Sequence, residues 1–358
     1  LSTALPEVTL GLVAMAILTL DLVAPKGGRD WLGYLSILGV IATLATLAGQ
    51  WGVMQSAFSG QYLSDPFALF FKIVFLVSAA LILLMSIGYL KNERIDKGEF
   101  YAMILFATLG MMLMVSAVDL LILYIGLEMM SISIYVLAGF LKREQRSSEA
   151  ALKYLLMGGF SSAILLYGIV MLYGLTGSIG LKEIASALST DTVSNPALIL
   201  GMVMLVAGFG FKIAAVPFHM WTPDAYEGAP TSVTAFMAVA SKAASFGAFL
   251  RVFAEGLGGL KTDWSTIFLV LCVATLVLGN VVALVQTNVK RMLAYSSIAH
   301  AGYALIGVVV AGGHGGKGAS TGFASVLLYI AIYSFMTLGA FALIGMLRKE
   351  GQESEQIE

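Results

Sequence analysis

The sequence predicts an all-α polytopic membrane protein of about eleven transmembrane helices, built as inverted five-helix repeats with a broken seventh helix and an incomplete second repeat. Three observations predict it. Of 358 residues, 59% are hydrophobic and only 11% charged, less than half of the roughly 25% that an ordinary soluble domain presents to water. Residues 5–24, 66–90 and 264–285 are apolar runs, long and charge-poor in the way a lipid-facing helix must be. The third observation is an interrupted run: "GFGFKIAAVPFHMWTPDAYEGAP", residues 208–230, places a lysine in an apolar helix and then three prolines.

In order, the spans fall near residues 4–24, 31–50, 66–90, 99–116, 119–141, 149–173, 197–217, 230–254, 264–286, 289–311 and 323–347. Leu1 is not a methionine, so an initiator residue or short leader is expected ahead of it. No small-residue cleavage site follows the first run, so it reads as a retained helix. Asp65-Pro66 opens the third span with a capping side chain and a first-turn proline. Lys72, two turns inside that span, and Arg251, near the same end of the eighth, are read as snorkelling to the outer surface. The 39 glycines suit closely packed membrane helices. The tail "RKEGQESEQIE" is polar and reads as loose.

These spans divide into an N-terminal three-helix segment (1–98), a first five-helix repeat (99–255), the start of a second, inverted repeat (256–347) and a polar cytoplasmic tail (348–358). A short echo supports the repeat. Tyr135-x-Leu137-x-Gly139 in the fifth span returns as Tyr303-x-Leu305-x-Gly307 in the tenth, which runs the other way. Orientation follows from the short loops. Lys26, Arg29, Lys91, Arg94, Lys97, Lys142, Arg143, Arg146, Lys290, Arg291, Arg348 and Lys349 fall on one side, against Lys182, Lys261 and Lys317 on the other. Twelve against three puts the N-terminus outside and residue 358 in the cytoplasm.

Ionisable residues at membrane depth are the candidate functional groups. Glu128 lies mid-way along the fifth span, where an isolated carboxylate costs at least about 2.5–3.5 kcal/mol. It must be protonated, paired or hydrated; the alternative to a functional role is permanent interhelix glue. Lys153, in the sixth span, is either a snorkelling lysine or the partner of Glu128. Such a buried Glu–Lys pair is a switchable unit, because removing one charge strands the other. Lys242 lies too deep in the eighth span to snorkel, and desolvation disfavours its charged form, as a proton carrier requires. His300, in the tenth, is either a relay or a neutral core histidine bonded to a serine or carbonyl. Lys212 and the break after it explain each other: proline frees backbone groups that admit water, and water tolerates the charge. His219 follows the break, with Asp224 and Glu227 leading to bulk.

The net charge of −1 and the lack of a basic stripe give no sign of nucleic acid. One cysteine, Cys272, excludes disulfides and iron–sulfur ligation by this chain alone. Three histidines could hold a haem, but nothing else resembles a haem pocket.

"GLEMMSISIYVLAGF", "SSEAALKYLLMGGFSSAILLYG", "GFKIAAVPFHMWTPDAYEGAPTSVTAFMAVASKAASF" and "NVKRMLAYSSIAHAGY" resemble the subunit N family of bacterial NADH:quinone oxidoreductase, respiratory complex I, whose members are antiporter-like membrane subunits. The opening "LPEVTLGLVAMAILTLDL" and "DPFALFFK" fit the same family. The resemblance implies a proton-translocating subunit of the bacterial inner membrane with no cofactor of its own. NADH, FMN, iron–sulfur clusters and quinone would belong to partner chains, the other membrane-arm subunits. It implies Glu128 and Lys153 as paired charges, Lys212 and Lys242 on a hydrated axis, and His300 in a second half-channel. Family members carry about fourteen spans, including a broken twelfth helix with its own lysine. This sequence ends after the eleventh, so that exit residue lies outside it. The competing readings are a subunit of a cation/proton antiporter or membrane-bound hydrogenase, an independent solute permease, and a structural scaffold that leaves Lys212 and Lys242 unexplained.

Overall fold

Among the described residues of the computed structural model, eleven helices are long and apolar enough to cross a membrane. The structure describes residues 2–25, 27–188, 195–313, 316–349, 352–353 and 355–357. Lys26, and the side chains of Lys317, Arg348 and Lys349, fall outside the described set. The elements are α1 (Leu5–Val23), α2 (Asp30–Ala48), a hairpin of β1 (Gln55–Ala57) and β2 (Tyr62–Ser64), α3 (Pro66–Asn92), α4 (Glu99–Ser116), α5 (Leu120–Ala138) and α6 (Gln145–Thr176). Then come a short α7 (Leu181–Ala187), α8 (Pro196–Ile213), a short α9 (Thr222–Gly228), α10 (Thr231–Gly256), α11 (Lys261–Ala283), α12 (Val289–Gly312) and α13 (Gly316–Met346). Arg348–Lys349 (β3) and Gln352–Glu353 (β4) close the chain as a small antiparallel pair.

Side-chain acceptors set the helix starts. Asp65 accepts from the Ala68 amide at 2.8 Å with Pro66 in the first turn of α3, and Asp119 accepts from the Leu121 and Ile122 amides of α5. Asn195 and Asn288 cap α8 and α12 in the same way. Each satisfies a first-turn amide that has no partner inside its own helix.

Small residues bring neighbouring helices together. A Cβ added at Gly110 of α4 would lie 2.6 Å from the Gly126 carbonyl of α5, and one at Gly168 of α6 would lie 3.0 Å from the Gly201 carbonyl of α8. α10 packs against α3, α4, α8 and α13, and its apolar window is entirely buried; only 22% of the window that leads into α11 is. α10 is therefore the central helix, and α11 turns its valine-rich face outward. Two π-helical turns interrupt α10, at Met237–Ser241 and Val252–Gly256. The sequence pattern shows no sign of either.

Two buried cations correct the expected snorkelling. At the hairpin end of the bundle, Lys72 is 0% exposed; its ammonium lies 2.8 Å from Glu7 of α1 and donates at 2.8 Å to the Tyr62 hydroxyl. Arg251, 1% exposed, forks onto both oxygens of Asp65 at 2.9 and 3.0 Å, reaches Glu255 at 3.1 Å and donates to the Val115 carbonyl at 3.0 Å. α1 and the hairpin cover this end of α3, so carboxylates inside the bundle replace the water that a snorkelling cation would seek. The tail is corrected too. Glu355 ion-pairs with Lys290 at 3.1 Å and accepts from Asn288, and its carbonyl accepts from the Val289 amide. A polar strand that passes a basic loop finds partners there.

Candidate functional site

The break comes first, because it positions everything else. α8 ends at Ile213, four residues before Pro217, where Ala214 turns into the left-handed region at φ 59° and the Val216–Pro217 peptide is cis. Helix resumes only at Thr222. The discontinuity expected near Pro217 is present, and the helix stops earlier than residue 217. Protein groups satisfy the freed backbone: the Trp221 indole N–H donates to the Phe211 carbonyl at 3.0 Å, and Thr275 Oγ1 accepts from the Val216 amide at 2.9 Å. Lys212 sits in the last turn of α8, where the unsatisfied carbonyls favour a cation.

Lys212 is 3% exposed. Its ammonium donates to Ser131 Oγ at 2.8 Å and to the Tyr135 hydroxyl at 3.4 Å, and lies 5.8 Å from the ring centres of Tyr135 and Phe211. Glu128, one turn before Ser131 on α5, is the carboxylate within electrostatic reach of Lys212, and its buried Oε1 has no hydrogen-bond partner. The expected Glu128–Lys153 pair does not form. Lys153 stands at the basic end, with its side chain 44% exposed, and pairs with Asp224 at 2.7 Å and Glu149 at 2.8 Å. It lies eight residues into the 32-residue α6, too near the helix start to reach mid-span. Lys212, and not Lys153, is the amine within electrostatic reach of Glu128, and the two make no ion-pair contact.

Lys242 follows the first π-turn of α10 and is 4% exposed. Its amine donates to the Ser297 carbonyl at 2.6 Å and also to Ser297 Oγ. No acidic side chain ion-pairs with it among the described residues. Ser297 Oγ lies 3.5 Å from the Tyr226 hydroxyl of α9. On the other side, Lys242, His300, Tyr329 and Tyr333 line a cavity of about 10 Å³, room for about one water. His300 Nδ1 is hydrogen-bonded to the Tyr329 hydroxyl, so its partner is a tyrosine and not the serine or carbonyl of the core-histidine alternative. Four aromatic rings in contact, Tyr135, Tyr154, Trp221 and Tyr226, run from the partner of Lys212 to the partner of Ser297; Tyr154 and Trp221 stack at 4.3 Å and 6°.

At the basic end, Asp224 joins Lys153 to Arg291 (2.7 Å each), and Arg291 also pairs with Glu227 at 2.9 Å. These residues line a pocket of about 230 Å³. Burial would raise the Asp224 carboxyl, but hydrogen bonds from Lys153 and Arg291 outweigh it and hold the group below its usual range. His219, 7% exposed and between the break and α9, has an unpartnered Nδ1. Burial holds its imidazole below the usual value. The structure thus gathers Lys212 with Glu128, and Lys242 with His300, and leaves Lys153 at the mouth.

Ser131, Tyr226, Ser297 and Tyr329 were not singled out from sequence, and Tyr135 entered only as part of the repeat echo, not as a site residue. Helical spacing carries the signal for three of them: Ser131 and Tyr135 lie three and seven residues after Glu128, and Ser297 lies three before His300, each on the same helix face. Tyr226 and Tyr329 reach the site only through tertiary packing.

A family model described as the transmembrane region of NADH:quinone oxidoreductase and Mrp antiporter subunits matches residues 117–358. The NADH-quinone oxidoreductase subunit N 1 of Koribacter versatilis is 48% identical over 99% of this chain and 71% of its own length. A chain of respiratory complex I from Thermus thermophilus superposes with a TM-score of 0.78 at 35% identity, over 95% of this chain and 70% of that one. A chain of the Mrp complex from Dietzia shares the fold, with a TM-score of 0.82, at only 18% identity.

Proposed function

The chain belongs to the subunit N family of NADH:quinone oxidoreductase, and from that premise we propose how it works: it passes protons along Glu128, Lys212, Lys242 and His300. It is a multi-pass, antiporter-like membrane subunit of a translocase complex. In this reading the basic end faces the cytoplasm, and NADH oxidation, FMN, iron–sulfur and quinone chemistry belong to partner subunits of the membrane and peripheral arms.

One observation carries the reading. Two lysines, each at least 96% buried, lie on neighbouring helices and are held mainly by hydroxyls and a carbonyl. A permanent structural cation is matched by a fixed anion, as Arg251 is by Asp65. An amine held by neutral acceptors can give up its proton without stranding a buried counter-charge. Glu128 supplies the control: ionised, it favours the ammonium of Lys212, and when it takes a proton that support is withdrawn. The proton then leaves Lys212 towards Ser297 and Lys242 along the hydroxyls of the aromatic wall, with water filling the gaps. His219 and the pocket at Lys153 and Asp224 form the cytoplasmic approach. The independent-permease reading asks for a solute-sized cavity beside the relay, and the cavity at Lys242 holds about one water.

The test is made on the assembled complex in sealed vesicles. Lys212→Ala and Lys242→Ala should each cut NADH-driven proton translocation several-fold, with the complex still assembled. Wild-type translocation by both sinks the axis.

A further inference from the structure

Two tyrosines of α13 face His300, and their hydroxyls are held differently. The Tyr329 hydroxyl is bonded to His300 Nδ1 and so fixes how the ring stands. Tyr333, one turn further along α13, packs its ring 4.9 Å from the His300 ring, centre to centre. It is 8% exposed, and its buried hydroxyl makes no aligned hydrogen bond among the described residues. Ser297 and Thr337 are the hydroxyls within its reach. A tyrosine buried for packing alone almost always has its hydroxyl bonded. This one is poised between partners.

The packing of α12 on α13 sets where that hydroxyl falls. The two helices run antiparallel in close contact: a Cβ at Gly307 would lie 3.0 Å from the Gly322 carbonyl, and further back His300 meets Tyr329. Ser297 lies three residues before His300 on α12, and Tyr333 four after Tyr329 on α13. Each is about one turn away in the same direction along the bundle. Tyr333 therefore comes level with Ser297, whose carbonyl and hydroxyl hold the Lys242 amine. On its other side it lines the one-water cavity with Lys242 and His300. The Ser297 hydroxyl already accepts from Lys242 and lies 3.5 Å from the Tyr226 hydroxyl. It has one proton to donate, so it cannot donate to Tyr226 and Tyr333 together.

We propose that Tyr333 is a positioning residue for the transfer from Lys242 to His300: its hydroxyl orients a water between them and turns to Ser297 once the proton has passed. While Lys242 is an ammonium it occupies the Ser297 hydroxyl, and the Tyr333 O–H donates to a water in the cavity. That bond aims a lone pair of the water at Lys242 Nζ. A proton passes from Nζ to the water oxygen as one of the water's own protons passes to the ring nitrogen of His300 that Tyr329 does not hold. One N–H and one O–H bond break, one O–H and one N–H bond form, and a single positive charge moves from Lys242 to His300. The neutral amine no longer needs Ser297 as an acceptor, and Ser297 Oγ then accepts from Tyr333. The water loses its orienting bond, which disfavours return of the proton.

This inference rests on the proton-carrying reading, and the experiment separates the two. Tyr333→Phe keeps the ring against His300 and removes only the hydroxyl. It is compared, in the assembled complex in sealed vesicles, with Lys242→Ala and with Ser334→Ala, which loses a bond to the Ile330 carbonyl of its own helix. Melting temperature, NADH-driven proton translocation and its solvent deuterium isotope effect are followed. Removing a buried hydroxyl that lacks an aligned partner relieves a desolvation penalty, so Tyr333→Phe should assemble and melt at or above wild type. Its translocation should fall several-fold and its isotope effect should rise, because transfer across a misoriented water becomes the slow step. Ser334→Ala should match wild type in both. Wild-type pumping by Tyr333→Phe beside a dead Lys242→Ala overturns the positioning role and leaves the axis standing. If Lys242→Ala also pumps normally, both fall. Slower pumping by Tyr333→Phe with a lowered melting temperature, an unchanged isotope effect or an equal loss in Ser334→Ala assigns the hydroxyl to packing and overturns the proposal, as does failure to assemble.

Discussion

A carboxylate's partner decides what its removal does, and Glu128 is the case in point. With Lys153 held by Asp224 and Glu149, truncating Glu128 leaves Lys153 untouched and withdraws the anion from Lys212. Glu128→Ala should therefore reduce proton translocation sharply in an assembled complex, and Lys153→Ala much less; equal losses measured in reconstituted vesicles would contradict the pairing seen here. A finer test uses two adjacent glycines. A Cβ at Gly158 would fall 2.0 Å from the Tyr135 hydroxyl that accepts from Lys212, whereas at Gly159 it meets nothing within 4 Å. Overpacking of this kind costs about 1–3 kcal/mol. Gly158→Ala should lower both thermal stability and translocation and Gly159→Ala neither, which melting and pumping of the two variants would check. The ionisable residues at depth were legible one by one, because charge in an apolar run stands out. Their partners were not: neither distance nor direction between helices is written in a single span, and Lys153 was matched to the wrong carboxylate for that reason.

Secondary structure was legible wherever a boundary had a chemical marker. Asp65-Pro66 marks the start of α3 in the sequence and caps it as its residue types require; Asn195 and Asn288 cap α8 and α12 by the same chemistry, seen in the structure. The break in α8 was legible from Pro217, but its onset at Ala214 was not, since alanine carries no warning of a left-handed conformation. The π-turns before Lys242 and after Arg251 were invisible because an extra residue per turn leaves a wholly buried helix apolar on every side. What holds the break open to function is the acceptor that α11 supplies. Thr275 Oγ1 takes the Val216 amide at 2.9 Å; without it a buried donor is orphaned, at about 1–3 kcal/mol. Thr275→Val should lower the melting temperature of the assembled complex and slow translocation. Thr266→Val on the same helix, which loses only an exposed bond to the Thr262 carbonyl, should change neither. The mouth residues respond to pH in a fixed sense. The lowered Asp224 carboxyl stabilises the Lys153–Asp224–Arg291 clasp above its unfolded value, about pH 4, and that contribution disappears as pH falls through the lower folded value. The clasp is thus fully charged near neutral pH.

Across the whole molecule, eleven spans and their order followed from composition and apolar runs, because lipid permits few alternatives to helices. Which helix lies at the centre did not, since a buried span and a lipid-facing one are equally apolar; only packing singles out α10. That placement makes Lys242 the residue whose chemistry tests the molecule as one conductor. Its amine reaches the Ser297 carbonyl and hydroxyl on one side and shares a one-water cavity with His300 on the other. The carrier reading and the prop reading both need a cation there, and they part company over whether the cation must let go. Arginine keeps the charge and much of the reach but holds its proton at every physiological pH. A prop would tolerate that change, with Ser297 still offering two acceptors. A carrier would not, because a fixed charge between the two halves of the axis repels the next proton and never empties. Lys242→Arg should therefore lose nearly as much coupled translocation as Lys242→Ala, in a complex that still assembles. Measured proton-to-electron ratios in sealed vesicles decide it: an arginine variant that pumps like wild type beside a dead alanine variant would make Lys242 an electrostatic support and move the search for the carrier to Tyr226, Ser297 and water.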